Sequence, residues 1–304
     1  MKRLHYIKTI VPLLLLFAFF TSFAQQEVNF LLNLKEGACF KVQSTTYLSS
    51  TENVSSDKEN KFEFTSTTQF QVTKKTPLLY DLSFIYTDYY SSMKMGVKEI
   101  IVDPKSADML NILNPSTQIA MIMNKPFSAK ISYKGEVIEV KENKNIEKEF
   151  KKKTKKLSPA LREQVYLFIN EFIKNESLPA AIENWTSCIP ISTVKIGDKW
   201  TVNKDSTSTV HYTFVEETDS SYIIKGKGNT ATITTNEIQE MHMTINREEE
   251  FTLTIEFDKQ TFLPKIIIKE SNTSTIVEIP DYPAFSQPPK HSQSTHTLKI
   301  SSCQ

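Results

Sequence analysis

The sequence predicts an α+β protein, mainly antiparallel, in which a curved β-sheet or half-barrel carries central helices packed on its concave face. Three observations support this class. Apolar and polar residues alternate through long runs rich in Phe, Tyr, Thr and Ser, the pattern of antiparallel strands with one wet face. One segment near the middle of the chain switches to the helical period. Glycine is scarce, 6 of 304 residues against 13 prolines, where about 7 per cent is usual. Little backbone is therefore free to wrap a phosphate or dinucleotide, and neither G-x-G-x-x-G nor G-x-x-x-x-G-K-[ST] occurs.

At the N-terminus, Lys2, Arg3 and Lys8 precede an apolar run from Ile10 to Phe20, and Ser22-Phe23-Ala24 supplies the small residues of a cleavage site. Residues 1–24 read as a signal peptide. The apolar run is too short for a span that needs roughly 20 residues. Cleavage removes three basic residues and no acid, taking 36 basic against 35 acidic side chains to 33 against 35. A near-neutral chain has no field to draw in nucleic acid. The reading is an exported protein, periplasmic or extracellular, with no transmembrane span after cleavage. Residues 25–279 form a single β-rich domain of two strand-rich halves, 25–141 and 194–279, joined by a helical middle, 142–193.

The elements follow in order. Phe40, Val42, Ser44, Thr46 and Leu48 share one face of the first strand. The rhythm repeats over Phe62 to Val72 and, after the break at Pro77, over Leu82 to Tyr90. A short helix between Ser106 and Met123 is expected to break at Pro115. Phe127–Tyr133 and Glu136–Val140 flank Lys134-Gly135 as a hairpin. Ser158-Pro159 is an N-cap and first-turn pair, and Leu161, Val165, Phe168, Ile169 and Phe172 then form one apolar stripe expected to face inward. A second short helix is expected from Leu178 to Trp185. Strands resume at Val210–Phe214, Met241–Ile245 and Phe251–Phe257, turn at Asp258–Thr261, and return through Lys265–Glu270 and Thr275–Ile279 as a meander. Residues 280–304, rich in Pro, Ser and Thr, read as an extended tail. Leu34 to Val42 aligns with Val194 to Val202, each a Lys-x-Gly turn feeding a strand with an aromatic three positions after the glycine, which raises the question of a duplication.

Candidate chemistry is sparse. Cys39, Cys188 and Cys303 allow one bridge in three pairings, and the preferred reading makes Cys39 and Cys188 small buried hydrophobes. No metal-ligand spacing occurs, and no cofactor is implied. His211 and His242 read as solvent-face strand residues, and His291 and His296 fall in the tail. Neither G-x-S-x-G nor H-E-x-x-H is present, so no catalytic residue is assigned and the protein reads as a non-enzyme. The lysine run Lys148, Lys151, Lys152, Lys153, Lys155 and Lys156 reads as a solvated helix face rather than a lipid headgroup site. Large soft side chains on one sheet face could line an apolar cavity, with Phe84, Tyr86, Leu161, Val165, Phe168, Phe172, Met241 and Met243 as the candidates. A filled core produces the same pattern.

On the signal peptide, Leu34–Gly37, Pro126-Phe127 with the Lys134-Gly135 hairpin, Val194–Trp200 and Asp258–Pro264, the chain resembles an uncharacterised family of exported bacterial envelope proteins. Its order of strands, central helices and further strands is similar to the half-barrel of periplasmic lipoprotein carriers. The family carries no assigned activity and the likeness is one of architecture; the sequence reads as a non-catalytic envelope protein, with binding of a lipid or other apolar ligand as the sharpest form of that reading. The alternative is a structural or interaction protein with a packed core, acting on an envelope protein partner.

Overall fold

The computed structural model describes residues 27–51, 59–174, 178–203, 207–238, 241–279 and 287–303. The expected signal peptide lies outside these residues. Alternation becomes a single antiparallel sheet of twelve strands. They are β1 (Cys39–Thr51), β2 (Glu59–Lys75), β3 (Leu79–Met95), β4 (Lys98–Val102), β5 (Phe127–Ser132) and β6 (Val137–Lys141) in the first half. The second half contributes β7 (Lys199–Asn203), β8 (Ser208–Glu217), β9 (Ser221–Ile238), β10 (Met241–Asp258), β11 (Pro264–Glu278) and β12 (Gln287–Ser302). The order across the open sheet is β6-β5-β3-β2-β1-β12-β11-β10-β9-β8-β7, with β4 beside β3. Four helices accompany it: α1 (Pro115–Ile122), α2 (Lys144–Thr154), α3 (Pro159–Ile173) and α4 (Ala180–Thr186).

The largest correction to the sequence reading concerns the C-terminus. Residues 287–302 are no tail but the strand that joins the two halves, paired with β1 over Phe40–Thr51 and with β11 over Ile266–Val277. Backbone pairing decides the matter, because a strand between two neighbours satisfies both edges of its amide ladder whatever its side chains. The preferred reading of the cysteines changes with it. Cys39 and Cys303 are disulfide-bonded across this seam, while Cys188 stays a buried thiol that donates to Trp185 O.

Register places like residues in rows on one face. Phe40, Phe70, Phe84 and Phe127 are successive partners across β1, β2, β3 and β5. Their rings stack at centroid separations of 5.3–5.4 Å. Trp185 of α4, fully buried, stands edge-on to Phe40 and Phe70 and seals that row. In the second half Leu298, Ile267, Ile255, Ile224 and Phe214 make a matching row. Phe30 covers that half, in edge contact with Phe214, Tyr222, Phe257 and Phe262. It sits in an extended segment whose alternate residues Val28, Phe30, Leu32 and Leu34 are all buried. Tyr80 fixes this segment by donating to Leu32 O and accepting from Leu34 N.

The matched phrases adopt matched turns. Gly37 and Gly197 both have positive φ, +80° and +91°, a region that favours glycine. Each donates its N–H to the neighbouring strand, Gly37 to Val72 O and Gly197 to Phe214 O. Each is followed by the same return bond, Ala38 N to Lys35 O and Asp198 N to Lys195 O. The two halves therefore start their sheets with one device.

Pro115 opens α1 rather than breaking a helix, with Asn114 accepting from Ser116 N as its cap. Proline costs nothing at the first helical position, whose N–H has no partner in the helix. Ser158 caps α3 as expected, accepting from Leu161 N. Leu161, expected at the head of the inward stripe, is 38 % exposed because the whole first turn of α3 is solvated. The stripe that packs is Val165, Ile169 and Ile173, at i, i+4 and i+8.

Candidate functional site

The sheet face that meets the helices is closed in one part and open in another. Next to the sealed Phe40–Phe127 row, the following register rows replace rings by small residues: Val42 and Thr68, then Ser44 and Ser66. Helices α1, α3 and α4 stand over this stretch without filling it. A cavity of about 180 Å³ results, floored by those strand residues with Leu298 and walled by Phe64, Tyr86 and Tyr89 of the sheet. Ile119, Ile122, Phe172, Ala181 and Asn184 line it from the helices and Met123 from the residue after α1. Phe172 meets Tyr86 and Tyr89 edge-on at 6.4 and 5.9 Å, and Tyr89 meets Phe64 at 5.4 Å. Aromatic edges are favourable contacts that leave gaps between rings. Burial pushes the Tyr86 phenol up to about 12, so it stays neutral throughout the physiological range.

Beyond the cavity the same face turns polar. Thr46 Oγ1 and His296 Nδ1 share a hydrogen bond of 2.7 Å. His296 faces Lys269 in register, and Lys269 pairs with Glu249 at 2.7 Å while lying 4.2 Å over the Phe251 ring. Burial holds the His296 imidazole below its usual pKa, and the Lys269 ammonium lowers it further. Burial pushes the Glu249 carboxyl up, but Lys269, Ser271 and Arg247 more than offset this and hold it low. Every charge here has a partner, which makes the patch a stable polar lip rather than a poised acid–base pair.

A second, more open hollow of about 680 Å³ lies at the other end of the sheet, lined in part by Leu34, Phe40, Asp258, Leu263, Lys265 and Ile300. Its apolar floor is already covered, with Leu34, Phe40 and Leu263 all buried. The Asp258 carboxylate is committed to the turn, accepting from Gln260 N, Thr261 N and Thr261 Oγ1. We take the smaller cavity, where rings of the sheet face α1, α3 and α4, as the candidate site.

Of the residues singled out in the sequence, Tyr86 and Phe172 line this cavity. Phe84 lies in the sealed stack and Val165 in the core, Phe168 is half-buried against that core, and Leu161 is exposed. Met243 is half-buried near the start of β10, and the Met241 side chain lies outside the described residues. The sequence does not mark the other lining residues, for different reasons. Leu298 lies in the segment expected as a tail, Ile119, Ile122 and Met123 follow a Pro115 expected to break a helix rather than open one, and Val42, Ser44, Ser66, Thr68 and Ala181 are too small to signal a cavity. His211, as expected, is exposed, bonded to Thr201 Oγ1. The His242 side chain lies outside the described residues.

Residues 78–264 match a family of unknown function, DUF6263. The chain belongs to that family. No curated protein matches the sequence. Among solved structures it is similar to lipovitellin, described for its lipid–protein interactions, at 9% identity and a TM-score of 0.48 over 90% of this chain. The chain spans only 26% of the lipovitellin chain. It is also similar to an outer-membrane channel from Pseudomonas putida F1, at 8% identity and a TM-score of 0.21 over 89% of this chain and 97% of that one. A third likeness is to DynF from the dynemicin pathway of Micromonospora chersina, at 4% identity and 0.23 over 91% and 86%. At such TM-scores neither a fold nor a ligand carries over. Among the described residues, no helix is long and apolar enough to cross a membrane.

Proposed function

We propose that this family member is an exported, non-catalytic binding protein of the cell envelope that holds an apolar group between the concave face of a half-barrel sheet and its helices. The observation that carries the reading is the cavity bounded by Phe64, Tyr86, Tyr89 and Phe172, unfilled although Val42, Ile119, Ile122 and Leu298 beside it are buried. Its size limits the ligand. An apolar cavity of roughly 150 Å³ holds one benzene, and drug-sized ligands occupy about 300 Å³ or more. At about 180 Å³ the site takes one ring or a short stretch of alkyl chain. A full acyl chain enters only if Phe172 swings away from Tyr86 and Tyr89. The polar lip at Thr46, His296 and Lys269 suits a ligand with an apolar end and a polar head.

The test is uptake of a hydrophobic fluorescent dye and native mass spectrometry of protein taken from its own envelope. Co-purifying lipid, displaced by the dye, is the expected result. Ala181→Phe fills the cavity and is expected to abolish dye uptake at an unchanged melting temperature. A bare mass with no dye uptake, or uptake unaffected by Ala181→Phe, overturns the reading. The competing reading is an envelope protein with a packed core and no small ligand. It draws on the sealed Phe40–Phe127 stack under Trp185, and a bare mass favours it.

A further inference from the structure

The segment before α1 holds apolar side chains out into water by design of its backbone. Leu110 N donates to Asp108 Oδ1 at 3.0 Å and Leu113 N to Asn111 Oδ1 at 3.2 Å, two successive Asx turns. Asn111 N and Asn114 N close the turns onto Asp108 O and Asn111 O. Thr117 Oγ1 and Gln118 Nε2 tie Asp108 O and Ile112 O to α1. Ile112 is buried as the anchor, while Leu110 is 96 % exposed and Met109 and Leu113 are close to half exposed. A slack loop would turn these side chains inward; this one is hydrogen-bonded so that it cannot.

The lysine-rich end of α2 stands beside it. Lys153 Nζ donates to Met109 O at 3.1 Å, joining the two elements. Ile146, Phe150 and Thr154 bury one face of α2, which leaves Lys148, Lys152, Lys155 and Lys156 in solvent. The acids of this helix are engaged, Glu147 with Lys151 and Glu149 with Lys125. Three exposed apolar side chains on a hydrogen-bonded turn are therefore joined, through Lys153, to a helix end rich in exposed lysines.

We propose that this face docks peripherally on an anionic lipid surface, Leu110 entering the boundary between headgroups and acyl chains while the lysines meet the phosphates. The geometry favours a bilayer over an acidic protein. The apolar residues crown a turn and leave no groove for a partner's side chain. Lysines are hydrated point charges on flexible stems, suited to a diffuse charged plane rather than to fixed paired contacts. The inference is independent of any ligand in the cavity, because neither Leu110 nor the lysines line it.

The experiment is co-sedimentation of the full mature chain with vesicles of phosphatidylcholine alone or mixed equally with phosphatidylglycerol. Binding to the mixed vesicles only, falling steeply as salt shortens the Debye length, is expected. Each lysine near an anionic surface contributes about fivefold, so Lys152→Gln with Lys156→Gln is expected to weaken binding about 25-fold. Leu110→Ser is expected to weaken it at least tenfold. All three positions are exposed, and unchanged melting curves confirm that the variants fold. Absence of binding, equal binding to pure phosphatidylcholine, or indifference to Leu110→Ser overturns the proposal. Loss on removing the lysines alone, with Leu110→Ser still binding, marks a simple polyanion contact and overturns it equally.

Discussion

The seam between β1 and β12 makes a quantitative prediction for Cys303→Ser. The bond to Cys39 closes a loop with a sequence separation of 264 residues, so in the chain-entropy view it restricts almost the entire unfolded chain. Loop-closure entropy for that length corresponds to about 5.6 kcal/mol at 25 °C, a ceiling, since measured losses on removing a native bridge run to roughly 2–5 kcal/mol. With a urea slope near 3 kcal/mol/M for a chain of this size, the midpoint of the variant falls by roughly 0.7–1.7 M. Equilibrium urea unfolding, followed by far-ultraviolet circular dichroism, measures it. Cys39→Ser must give the same shift, and the double variant no more than either single one. Alkylation under denaturing, non-reducing conditions must find one thiol, Cys188, which is protected in the native state. A midpoint within about 0.2 M of the parent would refute the seam's covalent closure, as would three reactive thiols in oxidised protein.

Three further outcomes follow. Trp185→Ala removes a side chain with no exposed surface that seals two stacked rings, and calorimetry is expected to record a loss of about 3–5 kcal/mol; a loss below about 1 kcal/mol contradicts the sealed stack. Gly228→Val adds a strand-favouring side chain, yet its Cβ would lie 2.5 Å from the Phe251 ring and 2.7 Å from Thr209 O. The expected result is a loss of about 1–3 kcal/mol, and a raised melting temperature would show that Phe251 does not lie over the glycine. For His296 the sign runs through the proton count. Its folded pKa lies below the ordinary 6.5, so the unfolded chain binds the proton first and stability drops as pH falls from about 6.5 toward the folded value. His296→Gln is expected to flatten that limb of the pH–stability curve, and an unchanged limb would deny the histidine its half-buried place beside Lys269.

What could be read from sequence was whatever depends on period and punctuation. The alternation of Phe62–Val72, the Lys134-Gly135 hairpin, the Ser158-Pro159 cap and the Asp258–Thr261 turn all appear where their residues place them, whereas that of Leu82–Tyr90 holds only to Tyr86, beyond which a register shift brings Tyr89 rather than Tyr90 to the inner face. Two losses came from composition overruling pattern. Residues 287–302 contain prolines, Ser and Gln, and only Leu298 and Ile300 signal an inner face, yet the segment is held by ladders on both edges that no side chain announces. Val28, Phe30, Leu32 and Leu34 do alternate, but so short a run directly after the expected cleavage site is hard to tell from a leader's end. The cavity itself was legible only in part. Sequence marks large residues such as Tyr86 and Phe172, whereas a cavity is defined equally by small ones, here Ser44, Ser66 and Ala181, whose meaning depends on which helix lies opposite.

That dependence bears on how the fold could hold a ligand. Along β1 the inner face runs Phe40, Val42, Ser44, Thr46, and its cross-strand partners are Phe70, Thr68, Ser66, Phe64 on β2 and Ser302, Ile300, Leu298, His296 on β12. On β1 ring gives way to aliphatic and aliphatic to hydroxyl, while on β2 the hydroxyls of Thr68 and Ser66 lie between the rings of Phe70 and Phe64. A core selected for stability alone has no reason to thin out toward its polar edge, since burying hydroxyls under α1 and α4 forfeits apolar contact that larger residues would supply. Substituting Ser44 and Ser66 by Val therefore separates the two readings: if the gradient serves only packing, the double variant is more stable and equally able to take up dye, and if it serves a ligand with a polar head, stability rises while uptake falls.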